Sequence, residues 1–142
     1  MISITVANIN QESICETIFK IREKVFVEEQ QVDASEEFDS FESTSLHYLG
    51  TLNSIPAGTA RWRITEKGIK LERFAVLPEF RNQGIGSAIL TKVLSDVKNT
   101  GVPLYLHAQI TAIDFYSRHG FIKVGELFEE CGIQHYKMTY GY

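Results

Sequence analysis

Residues 2–7, ISITVA, alternate apolar and polar side chains and predict a short edge strand. The period changes over 13–27. There Ile14, Ile18, Ile21, Val25 and Phe26 recur at three- and four-residue spacing, which predicts a helix with one buried stripe. From 28 to 45 the chain is acidic and serine-rich (EEQ, SEEFDSFES) with few aliphatics, which predicts a surface loop carrying a helical turn. LHYLGTL (46–52) and IPAGTARWRIT (55–65) read as a hairpin around Asn53-Ser54, with Pro56 fitting only the start of the second strand. A turn near Glu66-Lys67-Gly68 leads into the strand IKLERFAVL (69–77).

The loop PEFRNQGIG then precedes a helix over 84–98, striped by Ile85, Ile89, Val93, Leu94 and Val97 and stopped by Asn99-Thr100-Gly101. VPLYLHA (102–108) is an apolar strand. Thr111 and Asp114 read as a capping pair for a helix that ends at His119-Gly120. Residues 121–127 and 133–140 are two closing strands around the turn EECG. The order βα, βββ, αβ, αββ predicts a single α/β domain over 1–142, a mixed, strongly twisted sheet with helices on both faces. Residues 69–108 form one β-loop-α-β unit, whose two strands should be parallel.

Composition narrows the function classes. The 142 residues are 44% apolar and 23% charged, an ordinary globular balance that argues against disorder. A formal net charge of −4 gives no basic face to displace counterions, so a nucleic-acid partner is not expected. Cys15 and Cys131 make no disulfide framework and read as free thiols in a reducing cytoplasm. The N-terminus has no basic segment followed by an apolar run, and no apolar run approaches the roughly 20 residues that cross a bilayer. A soluble cytoplasmic protein with no membrane partner is expected. Cys131, His135 and His119 lie close in sequence, but no second pair completes a four-ligand set, so no metal is expected.

The richest chemistry lies in Arg81-Asn82-Gln83-Gly84-Ile85-Gly86-Ser87. A loop between a strand and a helix N-terminus exposes unpaired N–H groups and the positive end of the helix dipole. Glycines let an anion approach the backbone closely, and phosphate or pyrophosphate is the natural guest. No Lys follows Gly86, as a nucleotide P-loop needs, and Ile89 stands where a dinucleotide fingerprint has its third glycine.

The remaining pattern, Arg81-x-x-Gly84-x-Gly86, resembles the pyrophosphate loop of the GNAT superfamily of acyl-CoA-dependent N-acetyltransferases. Ala112-x-x-Phe115-Tyr116-x-x-x-Gly120-Phe121 resembles that family's second signature, with Gln109 where an Asn is usual. The segment Arg22 to Gln30, then Ser45-Leu46-His47 and the tail Gly125-Glu126-x-Phe128-x-Glu130-x-Gly132-Ile133-x-His135-x-x-Met138, is similar to the ElaA/YjcF-like branch. The early Arg22-x-x-Val25-Phe26 is also similar to acyl-homoserine-lactone synthases.

This resemblance implies a GNAT-like three-layer αβα fold whose two central strands, 71–76 and 103–108, splay at their C-terminal ends. It implies acetyl-CoA as co-substrate, held by the backbone of Phe74, Ala75 and Val76, by Arg81, Asn82, Gln83, Gly84, Ile85, Gly86 and Ser87, and by Gln109 and Tyr116. A backbone N–H near Val76 would polarise the thioester carbonyl. Tyr116 is the candidate general acid for the departing thiolate. The base is open between His135, Glu72 and water. Arg22, His47 and Arg73 are candidates to line the acceptor site, and the acidic stretch 28–45 would suit a cationic amine. A covalent acetyl-cysteine route has no His and acid arrangement around Cys131, so direct attack in a ternary complex is preferred.

The resemblance further implies an amine acceptor, carried by a small molecule or by a protein. Two other readings stand beside this one: an acyl-homoserine-lactone synthase-like acyltransferase and a non-catalytic acyl-CoA-binding module. Strand 133–140 is expected at an exposed edge, which leaves a homodimer open.

Overall fold

The computed structural model describes residues 1–141. Its strands are β1 (Ile2–Ala7), β2 (Leu46–Leu52), β3 (Ile55–Thr65), β4 (Gly68–Val76), β5 (Leu104–Gln109), β6 (Phe121–Glu130) and β7 (Ile133–Tyr140). The helices are α1 (Glu12–Arg22), α2 (Ala34–Glu37), α3 (Ile85–Val97) and α4 (Ile113–Arg118). All seven strands share one sheet in the order β1-β2-β3-β4-β5-β7-β6. Among the described residues only β4 and β5 pair in parallel; the α3 connection between them is the long crossover that parallel pairing demands.

Each face of the sheet buries the stripe of a helix. Ile85, Ile89, Leu90 and Val93 of α3 pack on one face with Tyr48, Ala57, Ala60, Leu71 and Leu106. Gly50 lets α3 sit this close, since a Cβ there would fall 2.9 Å from Ile89 Cδ1. On the other face, Ile18 and Ile21 of α1, followed by Val25, Phe26 and Val32, cover Leu49 and Ala75. Each fully buried aliphatic side chain of this kind contributes about 1.5–3 kcal/mol relative to exposure.

Two irregularities shape the centre of the sheet. The parallel ladder between β4 and β5 holds only Ile69↔Leu104, Lys70↔Tyr105 and Leu71↔Leu106, after which the strands part. Just beyond, Thr59 faces Ala75 and Arg61 faces Glu72, so Ala60 of β3 stands opposite two residues of β4, Arg73 and Phe74. This bulge places Arg73 at φ +60° and bends β4 where it leaves β5.

Four sequence expectations change. The first helix does not run evenly to 27: α1 ends at Arg22 and the chain continues through Glu29 as a π-helical segment, with Gln30 N–H donating to Val25 O at 3.0 Å. The 28–45 stretch is not a solvated loop throughout, because Val32, Glu37 and Ser45 are buried. Thr111 and Asp114 do not cap α4. A 3₁₀ turn over Ile110–Ala112 precedes it, and the N-cap Ala112 has no side-chain bond to offer. Finally, β7 lies between β5 and β6, so the free edges belong to β1 and β6. Among the described residues no helix is long and apolar enough to cross a membrane.

Candidate active site

A cavity of about 910 Å³ opens where β4 and β5 separate. Phe74, Ala75 and Val76 of β4 form one wall and Leu106, His107 and Gln109 of β5 the other. Val25, Phe26 and Glu29 of the π-helical segment and Gln30 just after it close one side, and Phe115 and Tyr116 of α4 another. Two polar contacts tie the π-helical segment across the gap. Glu29 accepts two bonds from Arg81, both 2.7 Å, and Gln30 Oε1 accepts from Gln109 Nε2 at 2.8 Å.

Parting leaves backbone groups of β4 unpaired toward the cavity. Leu77 N–H donates to Ala57 O on the β3 side at 2.8 Å. Strand alternation then points the N–H groups of Val76 and Phe74 to the opposite edge, where β5 has moved away. Val76 O shares that edge and accepts from Arg81 Nε at 3.0 Å.

The cavity ends at the start of α3. Gly84 is the N-cap at φ +84°, a left-handed backbone that glycine adopts without Cβ strain. Ala88 N–H is bonded to Gly84 O at 3.0 Å, so the amides of Ile85, Gly86 and Ser87 ahead of it have no carbonyl one turn behind them. A Cβ on Gly86 would rest 3.5 Å from Phe115 Cζ, an ordinary contact. The protein's own packing therefore does not require glycine there. Asn82 and Ser87 also line this end, and Ser87 Oγ lies 3.0 Å from His119 Nε2. Gln83 does not line it; its side chain turns back to Glu79 O at 3.3 Å.

Tyr116 is buried in the middle of the cavity wall, edge-on to Phe74 with centroids 5.8 Å apart and near Phe115 and Phe121. Its hydroxyl makes no hydrogen bond among the described residues. Burial raises its pKa above the ordinary phenol value, so the proton stays on at any working pH.

Beyond Tyr116 lies a second polar end, lined by Lys70, Glu72, Arg73, His107, Glu130 and His135. Glu72 is buried among three cations: Arg61, Arg63 at 2.8 Å and Lys70 at 3.3 Å. Burial opposes its ionisation, but Arg61, Lys70 and Arg63 outweigh it and hold the carboxyl at about 2. A carboxylate held so firmly is a weak proton acceptor, which argues against Glu72 as the base. Arg73 binds Glu37 Oε1 at 3.3 Å and Asp39 Oδ2 at 3.1 Å, so it faces the cavity already paired. His135 is nearly buried. Its Nδ1–H donates to Ile133 O at 2.7 Å, which leaves Nε2 as the lone-pair nitrogen. Cys131 donates its S–H to Glu36 Oε2 at 3.1 Å, and burial and that bond push the thiol up to about 11.

Arg22 and His47 lie outside the cavity. Arg22 is fully buried, with Nε on Glu37 at 2.8 Å and its two amino groups on Glu42 at 2.8 and 2.7 Å. His47 is equally enclosed; Nε2–H donates to Glu42 O at 2.9 Å, and burial lowers its pKa so that it stays neutral. The acidic stretch is thus answered internally: Glu37, Asp39 and Glu42 are matched by Arg22, Arg61 and Arg73 rather than left for a cationic ligand. Sequence reasoning missed Lys70, His107 and Glu130. The alternation of the tail motif was the available signal for Glu130, since Phe128, Glu130 and the paired β7 residues share a sheet face.

The chain matches the family model "Acetyltransferase (GNAT) domain" over residues 6–141. It is 37% identical over 131 residues to the uncharacterized N-acetyltransferase YjcF of Bacillus subtilis, covering 91% of this chain and 93% of that one. The crystal structure of Escherichia coli ElaA superposes with a TM-score of 0.87 at 27% identity, covering 99% of each chain. A GNAT family acetyltransferase from Elizabethkingia anophelis, solved with acetyl-CoA bound, shares the fold with a TM-score of 0.69 at 20% identity, covering 97% of this chain and 94% of that one. The fold and the matched family together define an acyltransferase of the GNAT class. The chain belongs to the GNAT acetyltransferase family, with YjcF and ElaA among its relatives.

Proposed function

We propose that this protein transfers an acetyl group from acetyl-CoA to a primary amine by direct attack in a ternary complex. The observation that carries the reading is the parting of β4 and β5 beside the Gly84-x-Gly86 helix start. It joins a strand edge with free N–H groups to a ready-made pyrophosphate site in one cavity. The family match over nearly the whole chain supports reading it as one domain.

In this reading the amides of Ile85, Gly86 and Ser87 hold the pyrophosphate. The N–H groups of Phe74 and Val76 hold the pantetheine arm, and the Val76 amide polarises the thioester carbonyl. The amine arrives protonated, since its pKa lies near 10. His135 takes one proton at Nε2 and releases it to solvent. The amine nitrogen then forms its bond to the carbonyl carbon as the carbon–sulfur bond breaks. Tyr116 gives its proton to the departing sulfur and regains one from the former ammonium nitrogen. One amide, one thiol and one proton leave for each thioester and ammonium consumed.

The high pKa of Cys131 supports direct transfer over an acetyl-cysteine route, because little thiolate is present near neutral pH. The test is a panel of alkylamines, diamines and peptides with free N-termini, incubated with acetyl-CoA. The expected result is free thiol matched by acetylated amine in the mass spectrum. Binding of acetyl-CoA without thiol release for any amine would favour the non-catalytic acyl-CoA-binding reading instead.

A further inference from the structure

The tail motif places more than His135 in the cavity. Glu130 of β6 and His135 of β7 converge there with His107 of β5, because β7 lies between β5 and β6, and Phe128 of β6 contacts both histidine rings. The Phe128 ring stacks on His135, with centroids 5.8 Å apart and planes 23° apart, and meets His107 edge-on at 5.0 Å. Glu130 spans the pair: Oε2 lies 3.1 Å from His107 Nδ1, and Oε1 lies 3.9 Å from His135 Nε2.

We infer that Glu130 is the positioning residue for His135, serving as the counter-ion of the imidazolium that forms when Nε2 takes a proton. This rests on the reading of His135 as base. The Ile133 carbonyl fixes the tautomer, so a proton can be added only at Nε2, the nitrogen that faces Glu130. Taking one proton changes the Glu130–His135 pair from one negative charge to none. A small approach then turns the 3.9 Å separation into a charge-assisted bond. The other carboxylate oxygen remains on His107, which keeps Glu130 from swinging away.

The surrounding charges leave this task to Glu130. From β4, Lys70 and Glu72 are bound to each other at 3.3 Å. Arg73 is spent on Glu37 and Asp39, and Glu36 accepts the Cys131 thiol. On β7, Lys137 lies over the Tyr105 ring. Among the described residues no Lys or Arg lies within 4.0 Å of the Glu130 carboxylate; its ionised form is favoured first by the bond from His107, with Lys70 acting at longer range.

The test is the pH titration of the His135 Cε1–H resonance in the full-length protein without any acceptor. That resonance is assigned by its loss in His135→Gln. Removing an opposite charge at this distance shifts a titration by about one unit or more. Glu130→Gln is therefore expected to lower the His135 midpoint by about one unit, and Glu130→Asp by less, as a shorter carboxylate would. In turnover, the acid limb of kcat/KM should move with the resonance while KM for acetyl-CoA stays within about twofold. An unchanged His135 midpoint in both variants overturns the assignment. Because the titration needs no catalysis, a protein that acetylates nothing would defeat the proposed function while the same resonance still decides this inference.

Discussion

Arg81 and Glu29, 52 residues apart in the chain, meet in a two-pronged ion pair with both contacts at 2.7 Å. The pair joins the loop before α3 to the π-helical wall of the cavity. It holds a carboxylate next to the place where a pyrophosphate would sit. Both side chains are more than a third exposed, so the pair itself contributes only about 0–1 kcal/mol to stability. Glu29→Gln should leave the melting temperature nearly unchanged. It should tighten acetyl-CoA binding by about two- to tenfold at low salt, an advantage that fades as salt screens the site. Calorimetry at two ionic strengths checks this; weaker binding in the variant would contradict it.

In the proposed mechanism, Tyr116→Phe removes the proton given to the departing sulfur. Turnover should fall by about a hundredfold, with acetyl-CoA affinity changed by less than about threefold. The packing against Phe74, Phe115 and Phe121 would survive, so the folded state should be retained. Steady-state kinetics with a fixed amine measures both numbers.

Arg22→Ala should act on stability and leave the site alone. Its guanidinium is buried between Glu37 and Glu42, and removing one partner of a buried pair costs about 3–5 kcal/mol. Urea unfolding measures the loss, and the folded fraction should retain its acceptor KM. A raised KM without lost stability would restore Arg22 to the acceptor site.

Acid should weaken the same ion network. Asp39 and Glu72 are both held at about 2 in the folded protein, burial being outweighed by Arg61 and its neighbours. Unfolded carboxyls titrate near 4. Their stabilisation is therefore full above about pH 5 and is lost as pH falls toward about 2. Thermal melts across that range should show a steep decline in the wild type and a shallower one in Glu72→Gln. Equal slopes would contradict the placement.

Cys131→Ser should leave turnover unchanged. The thiol is held at about 11 and donates to Glu36, so it contributes no nucleophile near neutral pH. A large loss of turnover in the serine variant would revive a covalent route.

The parts of this molecule that could be read from sequence are those set by local rules. The stripe Ile85, Ile89, Val93 and Val97 announced α3, and Gly84 announced the left-handed turn at its start, because periodicity and backbone freedom are written within a few residues. The bulge at Arg73 was not legible: a positive φ on an arginine follows from the register of β3 against β4, which no residue type marks. Arg22 and His47 looked like ligands because their partners, Glu37 and Glu42, lie far along the chain from Arg22 or outside the strand of His47, and only the fold brings them together. The interior place of β7 escaped for the same reason, and with it the meeting of His107 and Glu130.

The most direct test of the account is calorimetric titration of acetyl-CoA into the wild-type protein and into Gly84→Asp. The aspartate adds a Cβ at φ +84° and a negative charge at the loop that would hold the pyrophosphate. The account predicts saturable one-to-one binding by the wild type and at least about a hundredfold weaker binding by a variant that remains folded by circular dichroism. Equal binding by the two proteins, or none by the folded wild type, would contradict it.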